Sequence, residues 1–318
     1  MILMSFSSQV KDEVAKIKVE SFNLILAELS GLTPMCATLY YGKEGIKVEY
    51  VTENAPTARR VFTFLRRTFG FDVEVKNVRA TQLNKNLYII NLDDNESCRV
   101  LLDELKYTRG ENVFIKNYSP HELVRTSVEK KAYIRGAFLG SGSVTNPEKN
   151  YHLEFVSENE ENAIFLQQMI NYFNLHSKVT TRKGKYIVYL KEAEQISDLL
   201  SIVGAYKSML DFENIRVLKD MRNNVNRIVN CETANLSKTV KSSYDQIEDI
   251  RVIEEKLGLD KLDENLKELA EIRLADRYLS LKDIANSLNP QVSKSTVNYR
   301  FKKLKKIADN LRGVDNEK

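Results

Sequence analysis

The sequence predicts an α+β protein, with a duplicated αββαββα repeat followed by an all-α helix-turn-helix domain. Three observations predict it. A heptapeptide recurs: Val48-Glu49-Tyr50-Val51-Thr52-Glu53-Asn54 returns, conservatively changed, as Leu153-Glu154-Phe155-Val156-Ser157-Glu158-Asn159. Each copy follows an apolar helix that stops at a Ser-Gly pair, Ser30-Gly31 in the first half and Ser141-Gly142 in the second. Charge is polarised toward the end of the chain. Acidic residues dominate 245–271, whereas Lys294, Arg300, Lys302, Lys303, Lys305, Lys306 and Arg312 face only Asp309 over 294–312.

Within the repeat, the first half reads as an apolar helix from Phe22, an alternating strand over Val48–Asn54 and an amphipathic helix from Pro56 to Phe69. Strands over Phe71–Val78 and Asn86–Asn91 and a closing helix near Glu96–Leu105 complete it. The second half runs in the same order: helix Lys131–Ser141, strand Leu153–Asn159, helix Glu160–Phe173, strands His176–Thr181 and Lys185–Leu190 around Gly184, and helix Ala193–Val203. Arg59, Arg60, Arg66 and Arg67 recur along a helix stripe opposite its apolar face, as a phosphate-binding stripe or a plain solvated face would.

After the repeat, 216–241 is rich in Asn and basic residues, suited either to phosphates and bases or to backbone groups at a domain junction. From Asn265 the chain reads as three helices. Leu266, Leu269, Ala270, Arg273 and Leu274 mark the first, and Ser280 caps a second with Leu281, Ile284, Ala285 and Leu288 inward. Ser293 caps a third through Ile307, burying Val297, Phe301, Leu304, Ala308 and Leu311. Its other side carries Lys294, Ser295, Thr296, Asn298, Tyr299, Arg300, Lys302, Lys303, Lys305 and Lys306, the candidates for contact with duplex DNA. The domains expected are 1–110, 119–210, a helical linker region 211–264, basic and Asn-rich and then acidic, and 265–318.

Composition sets the outer bounds. At 318 residues, with 42% hydrophobic and 29% charged, the chain should form two or three soluble units. No apolar run approaches the roughly 18 residues of a membrane span. The start lacks the pattern of a secretory signal, and Met4 is as good an initiator as Met1, so a cytoplasmic, nucleoid-associated location with no membrane partner is expected. Cys36, Cys98 and Cys231 form no C-x-x-C pair and read as buried small hydrophobes; His121, His152 and His176 show no metal spacing. Neither a metal site nor a cofactor is expected.

The two Ser-Gly helices resemble the LAGLIDADG helices of homing endonucleases, most clearly over Ile134-Arg135-Gly136-Ala137-Phe138-Leu139-Gly140-Ser141-Gly142. Gly136 and Gly140 would let two helix backbones approach, with Ala27 as the small residue of the first helix. The resemblance implies that Ser30 and Ser141 stand where active enzymes carry the acids that hold divalent ions, with Glu28 and Glu154 near but off the motif position. A hydroxyl is a poor ligand for Mg²⁺, so no catalytic residue and no enzymatic activity is expected.

Over nearly the whole chain, the degenerate helix pair, the stretch R-N-x-x-N-R-x-x-N-C-x-x-A-N-x-x-K and the terminal S-K-S-T-V-N-Y-R resemble the WhiA family, in that order. That resemblance implies a bacterial DNA-binding transcriptional regulator involved in sporulation, cell division or chromosome segregation. It places Arg222, Asn226, Arg227, Asn230 and Lys238 in the family signature. Double-stranded DNA is the expected partner, with other regulators or division proteins besides. A residual DNA-cleaving enzyme and a protein-interaction scaffold are the alternatives.

Overall fold

The computed structural model describes residues 5–313 except 44, 81–84, 110–111 and 114–117. The choice between Met1 and Met4 falls outside the described residues. The chain divides into two compact units, Met1–Asp220 and Met221–Lys318.

The first unit opens with α1 (Phe6–Val14), which the sequence reading did not anticipate, and continues with α2 (Phe22–Cys36), β1 (Ala37–Gly42), β2 (Gly45–Thr52) and α3 (Ala55–Thr63). A wider turn over Phe64–Thr68 prolongs α3. Then come β3 (Glu74–Ala80), β4 (Lys85–Leu92), α4 (Asn95–Glu104) and the short pair β5 (Thr108–Arg109) and β6 (Asn112–Val113). The second half repeats the plan as α5 (Ser127–Ser141), β7 (Ser143–Val144), β8 (Leu153–Ser157), α6 (Glu160–Asn171), β9 (Lys178–Arg182), β10 (Lys185–Leu190) and α7 (Ala193–Val203). The two four-stranded sheets have matching antiparallel orders, β1-β2-β4-β3 and β7-β8-β10-β9.

The recurring heptapeptide does the same local work twice. Asn54 Oδ1 accepts from Thr57 N at 2.9 Å and caps α3, while Asn159 Oδ1 accepts from Asn162 N at 3.2 Å and caps α6. Upstream, Asn54 N donates to Thr52 Oγ1 and Asn159 N to Ser157 Oγ, both at 3.2 Å.

Helices α2 and α5, 15 residues each, form the centre of this unit. A methyl group added at Gly31 would collide with the Tyr133 carbonyl, and one at Gly136 with the Glu28 carbonyl. The contact is reciprocal, so Gly31 is the partner of Gly136 across the internal two-fold, and Gly31, not Ala27, is the small residue of the first helix. The offset that carries Val48 onto Leu153 also carries Phe22 onto Ser127, Gly31 onto Gly136 and Cys36 onto Ser141. Two expectations are corrected. The first helix runs past Ser30-Gly31 to Cys36, and the residue equivalent to Ser141 is Cys36 rather than Ser30. Ser30 misled because a Ser-Gly pair looks like a helix end, whereas here Gly31 is needed inside the helix for close approach.

The buried charge of the unit is concentrated on Glu28. Arg60 forks onto both of its carboxylate oxygens, with Nη2 to Oε2 at 2.8 Å, and Arg135 Nη1 approaches Oε2 at 3.4 Å. Arg60 is therefore not part of a surface stripe: it is 6% exposed and also donates to the carbonyls of Ala15 and Ile17. Of the four arginines, Arg59, Arg66 and Arg67 are exposed, and Arg66 pairs with Asp72 at 2.6 Å.

One long helix, α8 (Tyr206–Lys256), follows and passes through the division between the units. The second unit continues with α9 (Glu264–Ala275), α10 (Leu281–Ser287) and α11 (Lys294–Gly313). Its core joins Ile250 and Ile253 of α8 to Leu269, Ile284, Val297 and Phe301. The end of α8 is thus a fourth helix of the bundle, outside the 265–318 expected. Each apolar side needs another to bury it, and the spacing of Ile250, Ile253 and Leu257 carries that signal.

Candidate nucleic-acid interface

The third helix of the bundle is set by its caps and its stripe. Ser280 and Asp283 form a capping box at the start of α10, and the Ser280 hydroxyl, donating at 2.7 Å, is the main reason the Asp283 carboxyl is held below its usual range. Ser293 Oγ accepts from Thr296 N at 3.1 Å and begins α11. Val297, Phe301, Leu304 and Ala308 are buried at helical spacing.

The remaining face brings together most of the expected residues. Lys294, Ser295, Asn298, Tyr299, Lys302, Lys303, Lys305 and Lys306 are exposed. None of these lysines is in an ion pair with a described residue; Lys303 Nζ lies 5.2 Å from the centroid of the Tyr299 ring. Two expected residues stand aside. Arg300 is three residues from Val297 and four from Leu304, which turns it toward α9, where Nη2 donates to Asn265 Oδ1 at 3.0 Å. Thr296 is half-buried, with its hydroxyl 2.9 Å from Ser293 Oγ. Arg312 serves the fold, pairing with Asp249 of α8 at 2.8 Å, and that bond holds its guanidinium above the usual value.

The Asn-rich signature is helical throughout. Arg222, Asn226 and Asn230 follow at four-residue steps on one face of α8, with Arg227 and Lys238 beside it, all exposed. Their own backbone groups bond within the helix, while Lys219 of the same stretch donates to the carbonyls of Pro147 and Lys149 at 3.4 and 3.1 Å. The opposite face exposes Met221, Val225, Ile228 and Leu236.

The basic residues of the repeat are more occupied. Arg182 on β9 pairs with Glu154 at 2.9 Å, Lys185 on β10 with Glu158 at 2.5 Å, and Lys76 on β3 with Glu74 at 2.9 Å. Glu154 also meets His152 Nε2 at 3.0 Å, so it is engaged within its own half of the repeat.

Where the LAGLIDADG acids would stand, the residues do not fit a divalent ion. Burial pushes the Cys36 thiol up to about 12, and Lys11, itself depressed by burial, lies close enough for its charge to act on it. Ser141 offers a neutral hydroxyl that has no hydrogen-bond partner. Ser30 is buried and donates to Ala27 O at 2.8 Å, and Glu28 is committed to its arginines. Among the described residues no group of three or more His, Cys, Asp or Glu could hold a metal. No helix is long and apolar enough to cross a membrane.

The cysteines also depart from expectation, because Cys231 on α8 is exposed. Burial holds the Cys98 thiol up at about 11, as it does Cys36, and both stay protonated near neutrality. Alkylation of the folded chain at about pH 8 is expected to label Cys231 alone, the others reacting only in denaturant. Mass spectrometry of the adducts checks this, and a labelled Cys36 in the folded chain would contradict it.

Three family models match the chain: the WhiA N-terminal LAGLIDADG-like domain over 23–107, the WhiA LAGLIDADG-like domain over 130–222 and the WhiA C-terminal HTH domain over 225–308. A protein of Clostridium botulinum named "Probable cell division protein WhiA" is 47% identical over 312 residues, covering 97% of this chain and 99% of the relative. A Clostridium tetani protein of the same name is also 47% identical, covering 97% and 98%. Among solved structures, full-length WhiA from Thermatoga maritima is similar in fold, with a TM-score of 0.59 and 23% identity over 96% of this chain and 99% of that one. An N-terminal LAGLIDADG domain of WhiA matches 64% of the chain at a TM-score of 0.51 and 20% identity, covering 93% of that domain.

Proposed function

The chain belongs to the WhiA family, and on that premise we propose that it is a non-catalytic DNA-binding regulator that acts in cell division through transcription, associated with the nucleoid. The observation that carries this reading is the face of α11, where Lys302, Lys303, Lys305 and Lys306 are exposed and in no ion pair with a described carboxylate, Asp309 on the same face being paired with Arg312. Lysines of that kind exchange bound counterions for phosphates. Asn298, Tyr299 and Ser295 lie among them near the helix start, the part that reaches base edges in helix-turn-helix proteins. Arg222, Asn226, Arg227, Asn230 and Lys238 extend a polar face along α8 and are suited to backbone contacts.

The relatives' shared name places them in cell division, and the same role is proposed for this chain. Cleavage is not part of the proposal, since the motif ends carry Cys36 and Ser141 in place of acids. The test is to incubate the full-length protein with duplex DNA and Mg²⁺. Retarded but uncut DNA is expected; Mg²⁺-dependent nicking, or no retardation at low salt, would defeat the reading.

A second reading rests on its own observation. Met221, Val225, Ile228 and Leu236 form an exposed apolar face on α8, which suits a protein partner, such as another regulator or a division protein, more than a phosphate backbone.

A further inference from the structure

Helices α8, α9, α10 and α11 converge on a cavity of about 230 Å³ within the second unit. Lys238 and Ser242 of α8, Lys282 of α10, Lys294 at the start of α11 and Arg273 of α9 line it, and no carboxylate of the described residues does.

Arg273 is the unusual member. It is 2% exposed and heads the fully buried side chains by size. Nη1 donates to the carbonyls of Leu279 at 2.8 Å and Arg277 at 3.3 Å, and the guanidinium lies 5.5 Å from the centroid of the Phe301 ring. Nε is buried without a partner, and no ion pair to a described carboxylate is formed. Burial depresses the guanidinium, and the field of Asp276 opposes that only in part. Buried charges normally carry a counter-charge because desolvation is otherwise uncompensated.

Gln246 adds a demand of the opposite sign. Its Nε2 donates to Ser242 Oγ at 3.1 Å, while Oε1 is buried with no partner. A tetrahedral oxyanion bearing one hydroxyl offers acceptors to the guanidinium and the ammonium groups and a donor to Oε1.

We propose that this cavity is a site for inorganic phosphate, bound as the doubly charged ion that keeps one hydroxyl, with Arg273 at its base and Lys238, Lys282 and Lys294 around its mouth. Four cationic side chains favour the doubly charged phosphate over a carboxylate, and the planar guanidinium fork suits phosphate oxygens. The inference does not depend on α11 reading a duplex.

The experiment is calorimetric titration of the full-length protein with inorganic phosphate against sodium chloride at matched ionic strength. Saturable binding at one site per chain is expected. Arg273→Gln should abolish it, and because that variant could unfold, Lys282→Glu supplies the second arm: an exposed substitution expected to weaken phosphate by tenfold or more, roughly one lost charge-assisted contact plus repulsion. Heats indistinguishable from chloride, or a Lys282→Glu protein that binds phosphate unchanged, would overturn the proposal. Repeating the titration with duplex bound separates the sources. Simultaneous binding is the expected result, and loss of phosphate binding when duplex is present would show that a backbone phosphate occupies the site and overturn its assignment to the free ion. A protein that bound phosphate but no duplex would refute the DNA-binding reading and leave this site standing.

Discussion

Glu28→Ala is expected to cost the first unit about 3–5 kcal/mol, because it leaves two guanidinium groups facing a hole where their carboxylate was. Arg60 is bound to both oxygens of Glu28 with side-chain exposures of 4% and 0%, and Arg135 reaches the same carboxylate from α5 at 15% exposure. Glu28 therefore ties α2, α3 and α5 together where the helix backbones already touch through Gly31 and Gly136. Chemical denaturation followed by circular dichroism measures the loss. Glu28→Leu combined with Arg60→Met should recover a large part of it, since removing both partners leaves fewer stranded charges. A Glu28→Ala protein as stable as the parent would show that the network is not a structural tie.

The second large effect is on binding. Lys302→Glu, Lys305→Glu and Lys306→Glu together are expected to weaken duplex affinity on the order of 100-fold or more at about 0.1 M salt. The slope of log affinity against log salt should become shallower by about three, near one unit for each phosphate contact removed. Stability should hardly change, because these side chains are exposed and surface changes away from caps and core fall within about 0.5 kcal/mol. Asn298→Ala should act differently, losing about 1–3 kcal/mol for some duplex sequences and little for others, as a base contact would. Fluorescence anisotropy across a salt series reads both; an unchanged slope in the triple variant would remove the lysines from the interface.

Much of this architecture was legible because it is written locally. The heptapeptide announced the duplication, and the structure shows why it recurs: Asn54 and Asn159 each cap a helix that the preceding strand must enter at a fixed angle. Ser280 and Ser293 likewise marked the starts of α10 and α11 through their own hydrogen bonds. What failed was register and pairing across the fold. Gly31 read as a helix end because the sequence does not show that Tyr133 presses against it from α5. Arg60 read as surface because its partner, Glu28, is far away in sequence.

The binding face divides in the same way. Asn298, Lys302 and Lys305 could be placed opposite the buried stripe by counting residues. The same counting puts Arg300 beside Val297 and Leu304, so its turn toward Asn265 was available and was outweighed by its charge. Arg273 falls at the helical spacing of Leu266, Leu269 and Ala270, but its meeting with Lys282 carried no local signal, since that depends on how four helices converge.

The claim on which the account depends is that the lysine face of α11 lies against DNA. A photo-crosslinker placed at Asn298 of the full-length protein, with the same group at Arg182 on β9 as comparison, tests it on a bound duplex. Transfer of label to DNA from position 298 well above that from 182 is the expected result. Label arriving from 182 while 298 gives none would contradict the account and move the interface to the sheets of the repeat.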